Sequence, residues 1–113
     1  MLDSLTGVFD RDYYQQLMDM LEQDQRFPIS LILVDVNYLQ KITEEQGRPA
    51  GDVLLQMVAK LIRSCFRSED AVIRVGEDEF LVVLSQTPPE VAHKLVERLR
   101  RTITAHNLKP GAV

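Results

Sequence analysis

The twelve residues Ile73-Arg74-Val75-Gly76-Glu77-Asp78-Glu79-Phe80-Leu81-Val82-Val83-Leu84 constrain this chain most. Two β-type runs, Ala71 to Val75 and Phe80 to Leu84, flank a tip of one glycine and three acids. Apolar runs of this kind need a partner strand and the tip supplies turn chemistry, so the stretch reads as a hairpin. Gly76 is expected to take the positive φ that such turns often need, and three consecutive carboxylates belong in water. The tip is either a solvated acidic turn or a place where carboxylates hold a metal.

A second feature lies upstream, where Ile29-Ser30-Leu31-Ile32-Leu33-Val34 ends in Asp35. A strand this apolar is expected to be buried on both faces, so a carboxylate at its end emerges at the edge of the sheet. If the two strands pair, Asp35 and Asp78 meet at one edge.

The chain of 113 residues and 12.9 kDa is read as one domain, residues 1–113. A domain of that size buries roughly two-thirds of the surface its unfolded chain exposes. No run approaches the ~20 apolar residues of a membrane span and no basic-then-apolar leader is visible, so direct membrane insertion is not expected and the expected location is cytoplasmic. A net charge of -4 with no basic cluster argues against a nucleic-acid duplex as partner, though not against a small nucleotide held through a metal. The single cysteine, Cys65, has no intramolecular disulfide partner and falls at an apolar helical position, which fits a small core residue. His93 and His106 stand apart from any ligand-spaced Cys or carboxylate and read as surface residues of the last helix.

In chain order, Asp3-Ser4-Leu5-Thr6-Gly7 has turn chemistry, and Asp10 is expected to cap a helix with Tyr14, Leu17, Met18 and Leu21 on its apolar side. Pro28 ends that helix, and a strand follows from about Ile29 to Val36. Leu39 and Ile42 then mark a short helix. Beyond Gly47 and Pro49 a longer one begins near Gly51, with Leu54, Met57, Val58, Leu61, Ile62 and Cys65 in register. If Leu61 is buried there, Leu61→Ala costs about 2–5 kcal/mol. After the hairpin, Thr87-Pro88-Pro89-Glu90 reads as a helix start with a threonine cap, and Ala92, Leu95, Val96, Leu99 and Ile103 form its inward stripe. Helix, strand, two helices, hairpin, helix is an α+β order whose sheet is partly antiparallel.

Four motifs, in this order, carry a specific resemblance. Asp3-Ser4-Leu5-Thr6-Gly7, Leu33-Val34-Asp35-Val36-Asn37, Ala50-Gly51-Asp52 and Arg74-Val75-Gly76-Glu77-Asp78-Glu79-Phe80 resemble the GGDEF family of diguanylate cyclases. The resemblance implies a palm-like domain, similar to the nucleotidyl cyclases, whose central strands carry the metal site. It also implies that the family's last strand and helix are missing from this chain. Members of the family join two GTP molecules into cyclic di-GMP as a homodimer, each protomer supplying one half-site. Magnesium ions held by carboxylates activate the hydroxyl and steady the leaving pyrophosphate in such a step.

By this resemblance Asp35, the Val36 carbonyl and Asp78 match the metal ligands, with Mg2+ as the implied cofactor. Asp35 also suits a plain helix cap. Asp78 and Glu79 match the catalytic acids. Asp52 matches the guanine-binding aspartate, and its other role is to stabilise the first turn of its helix. Arg67-Ser68-Glu69-Asp70 has the spacing of the family's inhibitory product site, so Arg67 and Asp70 either bind cyclic di-GMP or form a surface ion pair.

Departures from the family pattern fall on the substrate positions. Glu77 replaces a glycine beside Gly76 where backbone approaches nucleotide. Thr43 replaces the asparagine that reads guanine, and Gln40 replaces a lysine near the phosphates. Asn37 and Arg48 differ from the usual Asp and His. Each lost contact is expected to cost on the order of 1–3 kcal/mol, together roughly a hundredfold or more in GTP affinity. The expectation is a degenerate domain acting as a nucleotide-sensing or regulatory module. The alternatives are an active diguanylate cyclase and a protein-interaction module that binds no nucleotide.

Overall fold

The computed structural model describes residues 1–106, in the order α1 (Tyr13–Gln23), β1 (Ser30–Asp35), α2 (Leu39–Gln46), α3 (Arg48–Cys65), β2 (Ala71–Gly76), β3 (Glu79–Leu84) and α4 (Pro89–Ala105). The strands lie in the order β1-β3-β2 with both pairs antiparallel, so the hairpin supplies the centre and one side of the sheet. Outside β2 the chain start adds one more contact. The Phe9 amide donates to the Val72 carbonyl at 3.0 Å and the Arg74 amide donates to the Phe9 carbonyl at 2.8 Å.

Alternation along β3 divides the core in two. Phe80, Val82 and Leu84 face α2, α3 and α4, meeting Ile32 and Val72 from the neighbouring strands and Leu39, Ile42, Leu55, Val58, Ile62 and Leu99 from the helices. Leu81 and Val83 face the other way, onto α1, where Leu17 and Leu21 pack over Ala71 and Ile73. Phe80, Val82, Leu84, Ile73 and Ile62 are fully enclosed. Each such side chain stabilises the fold by about 1.5–3 kcal/mol of transfer free energy. Cys65 lies in the larger cluster, and His93 and His106 are exposed.

Several local expectations are corrected. β1 is not covered on both faces: Leu31 and Leu33 remain 48% and 57% exposed. The reason is that α1 sits over β2 and β3, while β1 is an edge strand among the described residues. Gly76 does not take positive φ; among the described glycines only Gly7 and Gly47 do. A bulge between Arg74 and Gly76 adds local twist instead, and the Glu77-Asp78 turn closes without a left-handed residue.

Asp10 does not cap α1. Asp12 occupies the cap position without a side-chain bond, while the Asp10 amide donates to the Met1 carbonyl at 2.7 Å. Thr87 is not the cap of α4 either, since its buried hydroxyl donates to the Ser85 carbonyl at 2.8 Å and Pro88 takes the cap position. α3 begins at Arg48. Its buried side runs through Leu54, Leu55, Val58, Ala59, Ile62 and Cys65 and leaves Met57 exposed and Leu61 half-buried. With Leu61 only half-buried, Leu61→Ala falls below the cost of a fully buried leucine.

Candidate metal and nucleotide site

The hairpin tip is pinned to the end of β1 by its backbone. Asp35 is the register partner of Glu79, and the Val36 amide donates to the Asp78 carbonyl at 2.8 Å. Carboxylate oxygens of Asp35, Asp78 and Glu79 therefore come within 4.8 Å of one another. A hydrogen bond to Asp35, and then the Asp35 charge, a little burial and the Asp78 charge, hold the Glu79 carboxyl above its usual range. Carboxylates crowded in this way repel one another, and a cation between them lowers the free energy. The donors are all oxygen, which suits a hard divalent ion such as magnesium, manganese or calcium. Asp35, Asp78 and Glu79 fit such an ion as ligands. The Val36 carbonyl accepts the Leu39 amide at 3.2 Å and keeps a second lone pair.

Beside this cluster a cleft of about 510 Å³ is lined by Thr43, Arg48, Asp52, Arg74 and Glu77 above an apolar floor of Leu39 and Leu55. Gly51 lies so close to the Thr43 hydroxyl that a Cβ there would collide, so α2 and α3 meet tightly behind the floor. A neighbouring cavity of about 480 Å³ runs past Leu39, Gln40, Thr43, Glu44, Glu77 and Asp78. The Gln40 amide donates to Glu44 Oε1 at 3.2 Å.

Arg74 ties the tip to the chain start. Its Nη1 donates to both Asp3 carboxylate oxygens, at 3.3 and 3.2 Å, and its Nη2 donates to the Glu77 carbonyl at 2.8 Å. Asp3 also accepts the Thr6 amide and hydroxyl at 2.9 and 2.7 Å, in a turn that Gly7 closes with φ +77°. Burial pushes the Asp3 carboxyl up, but the Thr6 hydrogen bonds and then Arg74 outweigh it, and the net direction is below the ordinary carboxylate range. Asp3 and Arg74 each lie within a sequence motif, but their pairing exists only across the fold. Nothing in the local pattern signals a contact between residues 71 positions apart.

Arg67 and Asp70 sit at the other end of β2, away from the tip. The Asp70 carboxylate is 1% exposed and accepts the Arg67 amide at 2.9 Å, Nε at 3.1 Å and Nη2 at 2.8 Å. Arg67 Nη2 also reaches the Ser85 carbonyl at 3.2 Å, and the Asp70 hydrogen bond holds the guanidinium more firmly protonated. The turn borders a cavity of about 360 Å³ that includes Gln86, Thr87 and Arg98.

A palm-like α+β domain, with acids from two adjacent strand ends beside a nucleotide-sized cleft, is the architecture of a nucleotidyl cyclase. The sequence pattern of one family, described as Diguanylate cyclase, GGDEF domain, matches residues 1–111. The chain belongs to this family and is a GGDEF diguanylate-cyclase-like domain. It is 36% identical over 109 residues to Diguanylate cyclase DgcS of Shewanella oneidensis, spanning 94% of this chain and 36% of that protein. The crystal structure of diguanylate cyclase SiaD in complex with its activator SiaC, from Pseudomonas aeruginosa, superposes with a TM-score of 0.81 at 30% identity. That match covers 90% of this chain and 40% of SiaD. The GGDEF domain of DgcB from Caulobacter crescentus, solved with cyclic di-GMP, has a TM-score of 0.84 over 92% of this chain and 61% of its own; at 20% identity it speaks for the fold alone. Among the described residues no helix is long and apolar enough to cross a membrane.

Proposed function

We propose that this domain works in cyclic di-GMP signalling as a nucleotide-sensing or regulatory module with little or no cyclase turnover. One observation carries the reading: a cluster of Asp35, Asp78 and Glu79 stands beside an acidic cavity walled by Glu44 and Glu77. Magnesium held by Asp35 and Asp78, with the Val36 carbonyl, would supply charge neutralisation at a phosphate. The chain's own groups do less. Asp52 accepts from a guanine N1–H and exocyclic amine, while Thr43 offers one hydroxyl in place of a paired donor and acceptor. Gly76 adjoins Glu77 without lining either cavity, and Glu77 sets a carboxylate where a phosphate must pass.

Regulation at the far end of β2 belongs to the same reading. Arg67 forks onto a phosphate or guanine edge of cyclic di-GMP, and Asp70 accepts from the base once Arg67 swings away from it. A cytoplasmic location and face-to-face pairing of two protomers complete the proposal. The test is GTP turnover with magnesium at high protein concentration. Absence of cyclic di-GMP with retained calorimetric binding of GTP or cyclic di-GMP supports the module, and Arg67→Ala should abolish the cyclic di-GMP signal. Steady product formation overturns it.

The cluster itself favours one second reading, an active cyclase in which two protomers each bring one GTP. The same turnover assay decides between them.

A further inference from the structure

Glu77 lines both cavities of the cleft, and the two differ in charge. The larger holds Arg48 and Arg74 against Asp52 and Glu77, so its formal charges cancel. The other holds Glu44, Glu77 and Asp78 with no lysine, arginine or histidine among its lining residues. Arg74, held by the Asp3 carboxylate and the Glu77 backbone carbonyl, lines only the larger cavity and offsets no charge among the lining of the other. The Gln40 amide, which lines this cavity, donates to Glu44.

We propose that Glu77 makes this cleft selective for a guanine nucleoside without a polyphosphate chain. The base enters the neutral cavity against Asp52, and the acidic cavity rejects the phosphates. This rests on the reading of the cleft as a nucleotide site and adds which ligand it takes. A carboxylate about 6 Å from a phosphate charge lowers affinity by about threefold at the dielectric of water and by about a hundredfold at an effective dielectric of ~20. Magnesium on Asp35 and Asp78 would offset those two carboxylates, of which only Asp78 lines the acidic cavity, and leave Glu44 and Glu77 facing the chain of phosphates. A nucleoside meets none of this repulsion.

Calorimetry on the whole chain with guanosine, GMP and GTP, each with and without magnesium, tests the inference. Guanosine should bind about tenfold more tightly than magnesium-GTP, with GMP between them, and added salt should narrow the gap. Glu77→Gln keeps the size of the side chain and removes its charge. It should tighten GTP about tenfold and leave guanosine within about twofold. Residue 77 is exposed on a turn, and circular dichroism verifies that the variant is folded. Equal or tighter binding of magnesium-GTP by the unaltered chain overturns the selectivity and leaves the nucleotide-sensing reading standing. An unchanged GTP affinity in Glu77→Gln also overturns it. If guanosine, GMP, GTP and cyclic di-GMP all fail to bind, both readings fall.

Discussion

The two ends of β2 handle acidic residues in opposite ways. At its start Asp70 is enclosed, and one arginine satisfies its carboxylate with three hydrogen bonds while Arg63 donates to its backbone carbonyl at 2.9 Å. At its far end Asp35, Asp78 and Glu79 crowd together, and no basic side chain forms an ion pair with them among the described residues. A buried charge is tolerated only when it is paired, so the first turn is complete without a ligand. Exposed acids survive like-charge proximity because water screens them, and that leaves the tip able to gain from a cation. Arg67 at the closed turn must give up existing bonds before it can hold anything else, whereas the open tip gives up only repulsion.

The largest effect should come from the side chain that the hairpin centre shares with both ends. Phe80 is 0% exposed and follows the acidic tip directly. Phe80→Ala should cost about 3–5 kcal/mol in urea unfolding, collapsing the contrast by loosening both turns. A loss below about 1 kcal/mol would show that the hairpin does not carry the core.

Next comes the closed turn. Asp70→Asn should cost about 1–3 kcal/mol, because the ionic acceptor for Arg67 is lost in a buried position while half of the guanidinium remains in water to soften the change. The open tip should respond in the reverse sense. Asp35→Asn removes a like charge and should leave metal-free stability unchanged or slightly raised, while abolishing the protection that magnesium gives against unfolding. Equal destabilisation by Asp70→Asn and Asp35→Asn would erase the distinction between the ends.

The smallest effects concern pH. Asp3 has its folded pKa below the ordinary 3.8, so its stabilisation is fully present above that pH and is lost as pH falls through the lower folded value. Glu79 is raised above its ordinary 4.5, so its contribution is present below that pH and is lost as pH rises through the folded value. Acid titration of unfolding midpoints for Asp3→Asn and Glu79→Gln should therefore flatten opposite sides of the profile. Parallel profiles would contradict the assigned environments.

Much of this was legible before any coordinates. The hairpin, the two helices between the strands and the family itself follow from short-range patterns and from four motifs in order. Other features were not. An apolar run such as Leu31-Ile32-Leu33-Val34 looks the same whether a helix covers its second face or not, and here α1 lies elsewhere. Thr87 carries the chemistry of a cap, yet a carbonyl two residues earlier takes its proton. The ordinary rule that a two-residue turn wants positive φ failed at Gly76, because an extra residue in β2 supplied the twist.

By itself the amino-acid sequence determined the elements and the chemical identity of the acids, since periodicity and turn residues act over a few positions of the chain. Only the tertiary structure decided which charges are paired. Arg74 finds Asp3 across the domain, Arg67 closes on Asp70, and Glu77 is left facing the cleft. The reason is that electrostatic energy depends on distance and burial in space, and both are set only when strands and helices from separate parts of the chain have packed.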